Sequence, residues 1–173
     1  LQSAMRSQLQ HSMESSNPVV STARLVSNLN QQLYASTSPE KYATFFFSLY
    51  DDETGTLTYT NAGHLSPLLV RGGMAIPLES NGMVVGAFPF AKYTECNIQL
   101  ESGDLLVCYT DGITEPENPY GEDYGEARLT ELLIQNADRD AGEIAGLVVE
   151  EVTRWTGESE LQDDMTMLLA RKL

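Results

Sequence analysis

Three carboxylates flank two apolar runs of this sequence. Asp111 follows the run Leu105–Tyr109, while Asp163 and Asp164 precede the run Met165–Ala170. Carboxylate oxygens are the ligands that Mg²⁺ and Mn²⁺ prefer, so these residues could hold a divalent ion if folding brings them together. An Asp-Gly pair after a strand is also a common turn, since Asp caps turns and Gly supplies a positive φ. Taken alone, the pair is more often a plain turn than a site.

Both apolar runs are short and predict buried strands. Asp111 lies where the first strand ends, and Asp163 lies where the second begins. If the strands are antiparallel neighbours, the end of one lies beside the start of the other. Acids about 50 residues apart in the chain would then meet at one edge of a sheet.

Composition narrows the classes of partner. The chain has 173 residues, enough for one domain with its own core, and its 25 acidic and 10 basic residues give a net charge of -15. This charge repels nucleic acid and anionic membrane surfaces, but carboxylates gathered at one place attract divalent cations. No apolar run reaches the roughly 18–20 residues of a membrane span, and there is no signal-peptide pattern.

The two cysteines, Cys96 and Cys108, are too few and too poorly patterned for a disulfide framework or a zinc site. Both fall within predicted strands. They are expected to be buried, reduced thiols in a cytoplasmic protein.

The first third of the chain predicts two helices. Apolar residues spaced i, i+3, i+4 and i+8 favour an amphipathic helix over Leu1–Met13. Asn17 as N-cap and Pro18 at the first helical position then predict a second helix over Val19–Tyr34.

Strands and two more helices follow. The apolar pattern predicts strands over Ala43–Tyr50, Thr56–Asn61, Leu65–Arg71, Met74–Leu78 and around Cys96–Leu100, and helices over Glu126–Asn136 and Ala141–Trp155. Strand and crossover helix do not alternate regularly. The predicted fold class is therefore α+β with antiparallel sheet at its centre.

Two loops and one histidine have open interpretations. The acidic run Asp51–Glu53 is interpreted as a solvated turn rather than a metal site. The polar segment Pro116–Gly125 is predicted to be a loop or flap beside the candidate site, with a role in partner recognition. Gly63 suits a tight bend, and His64 is either a general acid or, more often in such a setting, a structural residue.

Four segments together resemble a known family. They are YTNAGHLSPLLV (Tyr59–Val70), CYTDGITEPEN (Cys108–Asn118), YGEARL (Tyr124–Leu129) and QDDMTMLLARKL (Gln162–Leu173). In this order they resemble the bacterial stage II sporulation E-type serine phosphatases of the metal-dependent PPM, or PP2C-like, superfamily. The resemblance implies an antiparallel β-sandwich core flanked by helices. It also implies hydrolysis of phosphoserine or phosphothreonine on a regulatory partner, often an anti-sigma-factor antagonist, with Mn²⁺ or Mg²⁺ at a two-metal site.

The resemblance also assigns roles to residues. Asp111 and Asp163 match the family's metal-ligand acids and are the candidate catalytic residues. Asp164 is expected to orient Asp163 or a bound water, and Gly112 is expected next to the ligands without binding the ion itself. Paired divalent ions would activate water and neutralise phosphoryl oxygens, the two requirements for hydrolysing a phosphomonoester without a protein nucleophile.

One family motif has no counterpart here. Relatives carry a GDxSGHG-like segment before the first helix that supplies further metal ligands, so residues 1–173 are expected to form a single phosphatase domain truncated at its N-terminus. We expect weak metal binding, little or no phosphatase activity and an exposed sheet edge that favours a homodimer. An upstream sensor domain is expected in the full protein. The alternative is a module of the same fold that docks a phosphoprotein without catalysis.

Overall fold

The computed structural model describes residues 5–6, 20–38, 40–157 and 163–173. Its elements, in chain order, are α1 (Thr22–Ser36), β1 (Phe45–Asp51), β2 (Thr56–Ala62), β3 (Leu68–Arg71), β4 (Met74–Pro77), β5 (Cys96–Gln99), β6 (Leu105–Tyr109), α2 (Asp111–Thr114), α3 (Glu126–Gln135), α4 (Ala141–Thr156) and β7 (Met167–Arg171). They belong to two compact units, Leu1–His64 with Glu79–Leu100 and Leu65–Leu78 with Glu101–Leu173. The predicted single phosphatase domain stays a prediction.

The first unit contains helix α1 and a three-stranded antiparallel sheet in the order β1-β2-β5. The apolar stripe of α1 supplies Leu25, Val26 and Leu29, which are buried with Val85 and Tyr93 in one core cluster. The hairpin β1-β2 turns through an exposed acidic loop, where the Asp51 carboxylate accepts hydrogen bonds from the backbone N–H groups of the loop. The predicted solvated turn is therefore confirmed.

The second unit contains a four-stranded antiparallel sheet in the order β4-β3-β6-β7 and three helices. Strands β3 and β6 are buried almost throughout, because apolar side chains on α3 and α4 pack over them. The helical contribution is made by Leu129, Leu133, Ile144, Val148 and Val152. Helix α4 begins with a capping box in which Asp140 and Glu143 bond each other's backbone N–H groups.

Of the two helices predicted near the N-terminus, the structure describes the second. The predicted helix Leu1–Met13 lies almost wholly outside the described residues. The predicted N-cap Asn17 lies outside them too, and the structure caps α1 with Ser21, so the predicted start at Val19 is wrong. The Ser21 side chain accepts from the backbone N–H of Arg24, which satisfies one donor of the first turn.

The remaining predicted strands and helices are confirmed, and their ends shift by three residues at most. The two antiparallel sheets and their helices confirm the predicted α+β class. In the described part of the chain, no helix has the length and apolar character to cross a bilayer. The predicted cytoplasmic location stays a prediction.

Candidate metal centre and active site

The two acidic motifs meet because β6 and β7 are antiparallel neighbours, as the sequence predicts. Their register pairs Tyr109, the last residue of β6, with Met167, the first residue of β7. The chain leaving β6 therefore runs beside the chain entering β7. The Thr110 backbone N–H donates to the Thr166 carbonyl at 3.1 Å, and the Thr166 N–H donates to Thr110 Oγ1 at 3.1 Å.

Gly112 allows these segments to approach closely. A Cβ atom added to Gly112 would lie 2.4 Å from the carbonyl oxygen of Asp164, far inside van der Waals contact. Gly112 lies in helix α2 and does not have a positive φ, so the alternative of a plain Asp-Gly turn does not apply here. Gly112 is needed here because another backbone occupies the space of its side chain.

Asp111 and Asp163 are each held at one carboxylate oxygen by a backbone amide. Asp111 Oδ1 accepts from the Gly112 N–H at 2.9 Å, and Asp163 Oδ1 accepts from the Asp164 N–H at 2.7 Å. Both residues are exposed to solvent. Within the described part of the chain, the second oxygen of each carboxylate accepts no hydrogen bond, so it can serve a ligand.

Both acids line one cavity of about 420 Å³. The other lining residues are Gly112, Glu115, Pro116, Glu117 and Asp123, so five carboxylates face the same space. The sequence interpretation did not single out Glu115, Glu117 and Asp123. Two features of the sequence could have identified them: these acids cluster in the segment that follows Asp111, and that segment is predicted to lie beside the candidate site.

The donor chemistry of this cavity fits a hard divalent cation. Mg²⁺ in particular keeps several waters and is often held by only one or two protein carboxylates. Among the described residues, no group of three or more His, Cys, Asp or Glu side chains is arranged to hold one metal ion. Asp111 and Asp163 are the lining acids that the sequence predicts as metal ligands, and their role as ligands stays a prediction.

The other predicted site residues lie nearby or elsewhere. Asp164 has an exposed side chain, and it holds Asp163 through its backbone amide. Gly63 has φ of +73°, as expected for a tight bend, and the N–H of His64 donates to Asn61 Oδ1 at 2.9 Å. Neither Gly63 nor His64 is among the residues that line the cavity.

Cys108 is not an available nucleophile. Cys96 and Cys108 are free thiols, and both are half-buried where the sequence predicts buried thiols. Burial raises the pKa of the Cys108 thiol to about 11, so it is protonated at neutral pH.

Two curated relatives are similar to this chain. Protein IcfG of Synechocystis is 34% identical over 128 residues, which cover 73% of this chain and 20% of IcfG. Phosphoserine phosphatase RsbU of Bacillus subtilis is 25% identical over 154 residues, which cover 87% of this chain and 45% of RsbU. The chain thus spans less than half the length of either relative.

Solved structures show the same fold. The SiaA-PP2C domain of Pseudomonas aeruginosa matches with a TM-score of 0.81 at 20% identity, covering 98% of this chain and 68% of that one. The phosphatase domain of the cell fate determinant SpoIIE from Bacillus subtilis, presoaked with Mn, matches with a TM-score of 0.68 at 24% identity and coverages of 97% and 73%. The predicted PP2C-like fold is confirmed.

The family model of Stage II sporulation protein E (SpoIIE) matches residues 1–173, the whole of this sequence. Relatives and structural neighbours named as phosphatases agree with that match. The chain belongs to the Stage II sporulation protein E (SpoIIE) family and has the fold of PP2C phosphatase domains.

Proposed function

We propose that this chain is the phosphatase domain of a regulatory protein and that it hydrolyses phosphoserine on a partner protein. Asp111 and Asp163 hold the divalent ion, which is Mn²⁺ or Mg²⁺. The observation that carries the proposal is the meeting of these two acids, from motifs about 50 residues apart, in one cavity lined by five carboxylates. No lysine or arginine is among the described residues that line the cavity, so a phosphate dianion entering it would meet only carboxylates, and a divalent cation would offset that repulsion.

The chain's own residues bind, orient and shape the site. The backbone amide of Gly112 holds one carboxylate oxygen of Asp111, and the backbone amide of Asp164 holds one carboxylate oxygen of Asp163. The orientation of the second oxygen of each acid is thus set by a backbone group rather than by a mobile side chain. A bound divalent ion would supply an activated water and neutralise the phosphoryl oxygens. The backbone contacts between Thr110 and Thr166 keep the two acids in register through the reaction.

The substrate belongs to a signalling pathway in this proposal. RsbU carries the name phosphoserine phosphatase, which supports phosphoserine as the substrate. The partner proposed is a phosphorylated regulatory protein such as an anti-sigma-factor antagonist. An upstream sensor domain would set the activity, and a homodimer is the proposed assembly.

A docking module without catalysis is the second candidate. It is favoured by one observation: among the described residues, no three acids are arranged around one ion position. In that case the chain would dock a phosphoprotein or partner domain and leave the phosphate in place.

Hydrolysis of a phosphoserine peptide in the presence of Mn²⁺ separates the two candidates. The phosphatase should release phosphate, slowly because its metal affinity is low, and Asp111→Asn should abolish both release and Mn²⁺ dependence. The docking module should bind the peptide equally well in Asp111→Asn and in EDTA. Retained peptide binding with no phosphate release from either protein would therefore contradict the phosphatase proposal.

A further inference from the structure

The segment between Asp111 and helix α3 forms a closed hairpin, defined here as residues 115–125 and called the acidic hairpin. Its two arms are joined at the base, where the Tyr124 N–H donates to the Pro116 carbonyl and Gly125 donates to the Thr114 carbonyl, at 2.9 and 2.8 Å. A β-bridge pairs Glu117 with Asp123. The hairpin thus begins and ends at the wall of the carboxylate cavity.

The tip of the acidic hairpin is fixed by one side chain. Asn118 Oδ1 accepts from the N–H groups of Tyr120 and Glu122 at 2.9 and 3.0 Å, and Asn118 Nδ2 donates to the Glu122 carboxylate at 2.9 Å. Gly121 supplies the positive φ that the turn requires, +78°. Trp155 of helix α4 donates from Nε1 to the Glu122 carbonyl at 3.0 Å, which ties the tip to the body of the unit.

This ordered tip presents Tyr120 to solvent. Tyr120 is 89% exposed, more than any other aromatic residue in the described part of the chain. A single exposed aromatic residue is ordinary on a protein surface. Tyr120 differs because the loop that carries it is held by a network of hydrogen bonds, so binding a partner there costs little ordering entropy.

Charge indicates what Tyr120 would meet. The acidic hairpin contains Glu115, Glu117, Glu122 and Asp123 and has no lysine or arginine. An exposed aromatic ring among carboxylates attracts a guanidinium or ammonium group, which can lie over the ring face while it neutralises the acids.

Distance indicates where on the substrate that group would lie. Glu117 and Asp123 line the cavity, and Tyr120 is three residues from each. At up to about 3.5 Å per residue, the backbone of Tyr120 lies within about 10 Å of the cavity wall, the length of about three residues of an extended peptide.

We propose that Tyr120 and the carboxylates of the acidic hairpin select phosphoserine proteins that carry an arginine or lysine within about three residues of the phosphoserine. The inference rests on the proposed function, since it assumes that phosphoserine enters the carboxylate cavity. Tyr120 acts as a specificity residue and takes no part in the chemistry.

The test is a peptide array in which each phosphoserine peptide has an unphosphorylated serine twin and each flanking position is varied. Capture of the 173-residue chain with Mn²⁺ should depend on phosphate and be about tenfold stronger with arginine at the preferred position. Tyr120→Ser should lose most of that tenfold preference and keep the dependence on phosphate. Tyr120→Phe should keep both, because the ring remains.

Tyr42→Ser is the matched control, since Tyr42 is 63% exposed and lies in the other unit; it should behave as the wild type. Phosphate-dependent capture with the same arginine preference in wild type and Tyr120→Ser would overturn this inference and leave the proposed function standing. Capture that ignores phosphate in the wild type would overturn the proposed function and this inference with it.

Discussion

At the scale of single residues, Gly112 sets how closely the two acidic motifs can approach. Its missing side chain leaves room for the Asp164 carbonyl, which would otherwise lie 2.4 Å from a Cβ atom. The neighbour is a backbone atom of the segment that leads into β7, so it cannot rotate away as a side chain would. The position of Asp163, one residue earlier, depends on the same contact.

Gly112→Ala should therefore destabilise the protein by about 1–3 kcal/mol, since the added methyl group overpacks a rigid contact. The same change should weaken Mn²⁺ binding, because Asp111 and Asp163 are pushed apart. Chemical denaturation and metal titration measure the two effects.

Gly146→Ala is the control for that substitution. Gly146 lies in helix α4 with no atom within 4 Å of an added Cβ, so alanine should stabilise the protein by up to about 1 kcal/mol through helix propensity alone. If Gly112→Ala proves as harmless as Gly146→Ala, the close approach does not limit the site.

The sequence predicts which two acids belong to the site, but it does not predict the contact that lets them come close together. Asp111 and Asp163 follow from their places at the ends of two apolar runs, and the structure brings them to one cavity. The role of Gly112 could not be predicted, because the clashing carbonyl belongs to a residue that is 52 positions away in the chain.

At the scale of elements, helix α1 is joined to the loop that follows β4 by a buried amide. Asn30 is 1% exposed; its Oδ1 accepts from the Gly86 N–H at 2.7 Å and its Nδ2 donates to the Phe88 carbonyl at 2.9 Å. One side chain thus satisfies a donor and an acceptor of the loop backbone.

Asn30→Ala should cost about 1–3 kcal/mol of stability, because it leaves the buried Gly86 N–H without its acceptor and removes a part-buried hydrogen bond to the Phe88 carbonyl. Asn28 is exposed on the same helix, so Asn28→Ala should change stability by less than about 0.5 kcal/mol. Urea denaturation of the two variants makes the comparison. Equal losses would show that the amide does not hold the loop.

The start of helix α1 shows why local signals are incomplete. Asn17-Pro18 satisfies the local rule for a helix start, yet Ser21 caps the helix. Glu95, 74 residues later in the chain, accepts hydrogen bonds from the hydroxyl groups of Ser21 and Thr22 at 2.8 and 3.3 Å. This contact stabilises the later start, and no window of neighbouring residues contains it.

A buried ion pair joins strand β3 to the turn before β6. Asp104 is 3% exposed and accepts from Arg71 Nε at 2.8 Å and from the Glu101 N–H at 2.8 Å. Burial alone raises the pKa of Asp104, but the hydrogen bonds from Arg71 and from the backbone outweigh it and place the pKa below its ordinary value. The folded state therefore binds fewer protons than the unfolded state in acid.

The contribution of Asp104 to stability should accordingly be full above the ordinary Asp pKa of about 3.9 and be lost as the pH falls through its lower folded value. Asp104→Asn should be less stable by about 2–3 kcal/mol at pH 7 and should lose less stability between about pH 5 and pH 3. Urea denaturation at pH 7 and at several pH values between about 5 and 3 measures these differences in the free energy of unfolding. Glu101 is an exposed partner of the same arginine, so Glu101→Gln should keep the wild-type dependence of the free energy of unfolding on pH. The same pH dependence in Asp104→Asn as in the wild type would refute the role given to Asp104.

At the scale of the whole molecule, the net charge of -15 has two effects. It disfavours nucleic acid and anionic membranes, and it draws divalent cations toward the surface in general. A metal measurement on this protein must therefore separate the proposed site from diffuse attraction. Asp52, in the exposed turn between β1 and β2, provides an acid of the same type outside the proposed site.

The central claim is that Asp111 and Asp163 form one metal site, and calorimetric titration with Mn²⁺ tests it most directly. We predict weak, saturable binding to the wild type, loss of that binding in Asp111→Asn and in Asp163→Asn, and unchanged binding in Asp52→Asn. Equal heats of binding in the wild type and Asp111→Asn would contradict the account, because the ion would then be held by acids other than the pair that the two strands bring together.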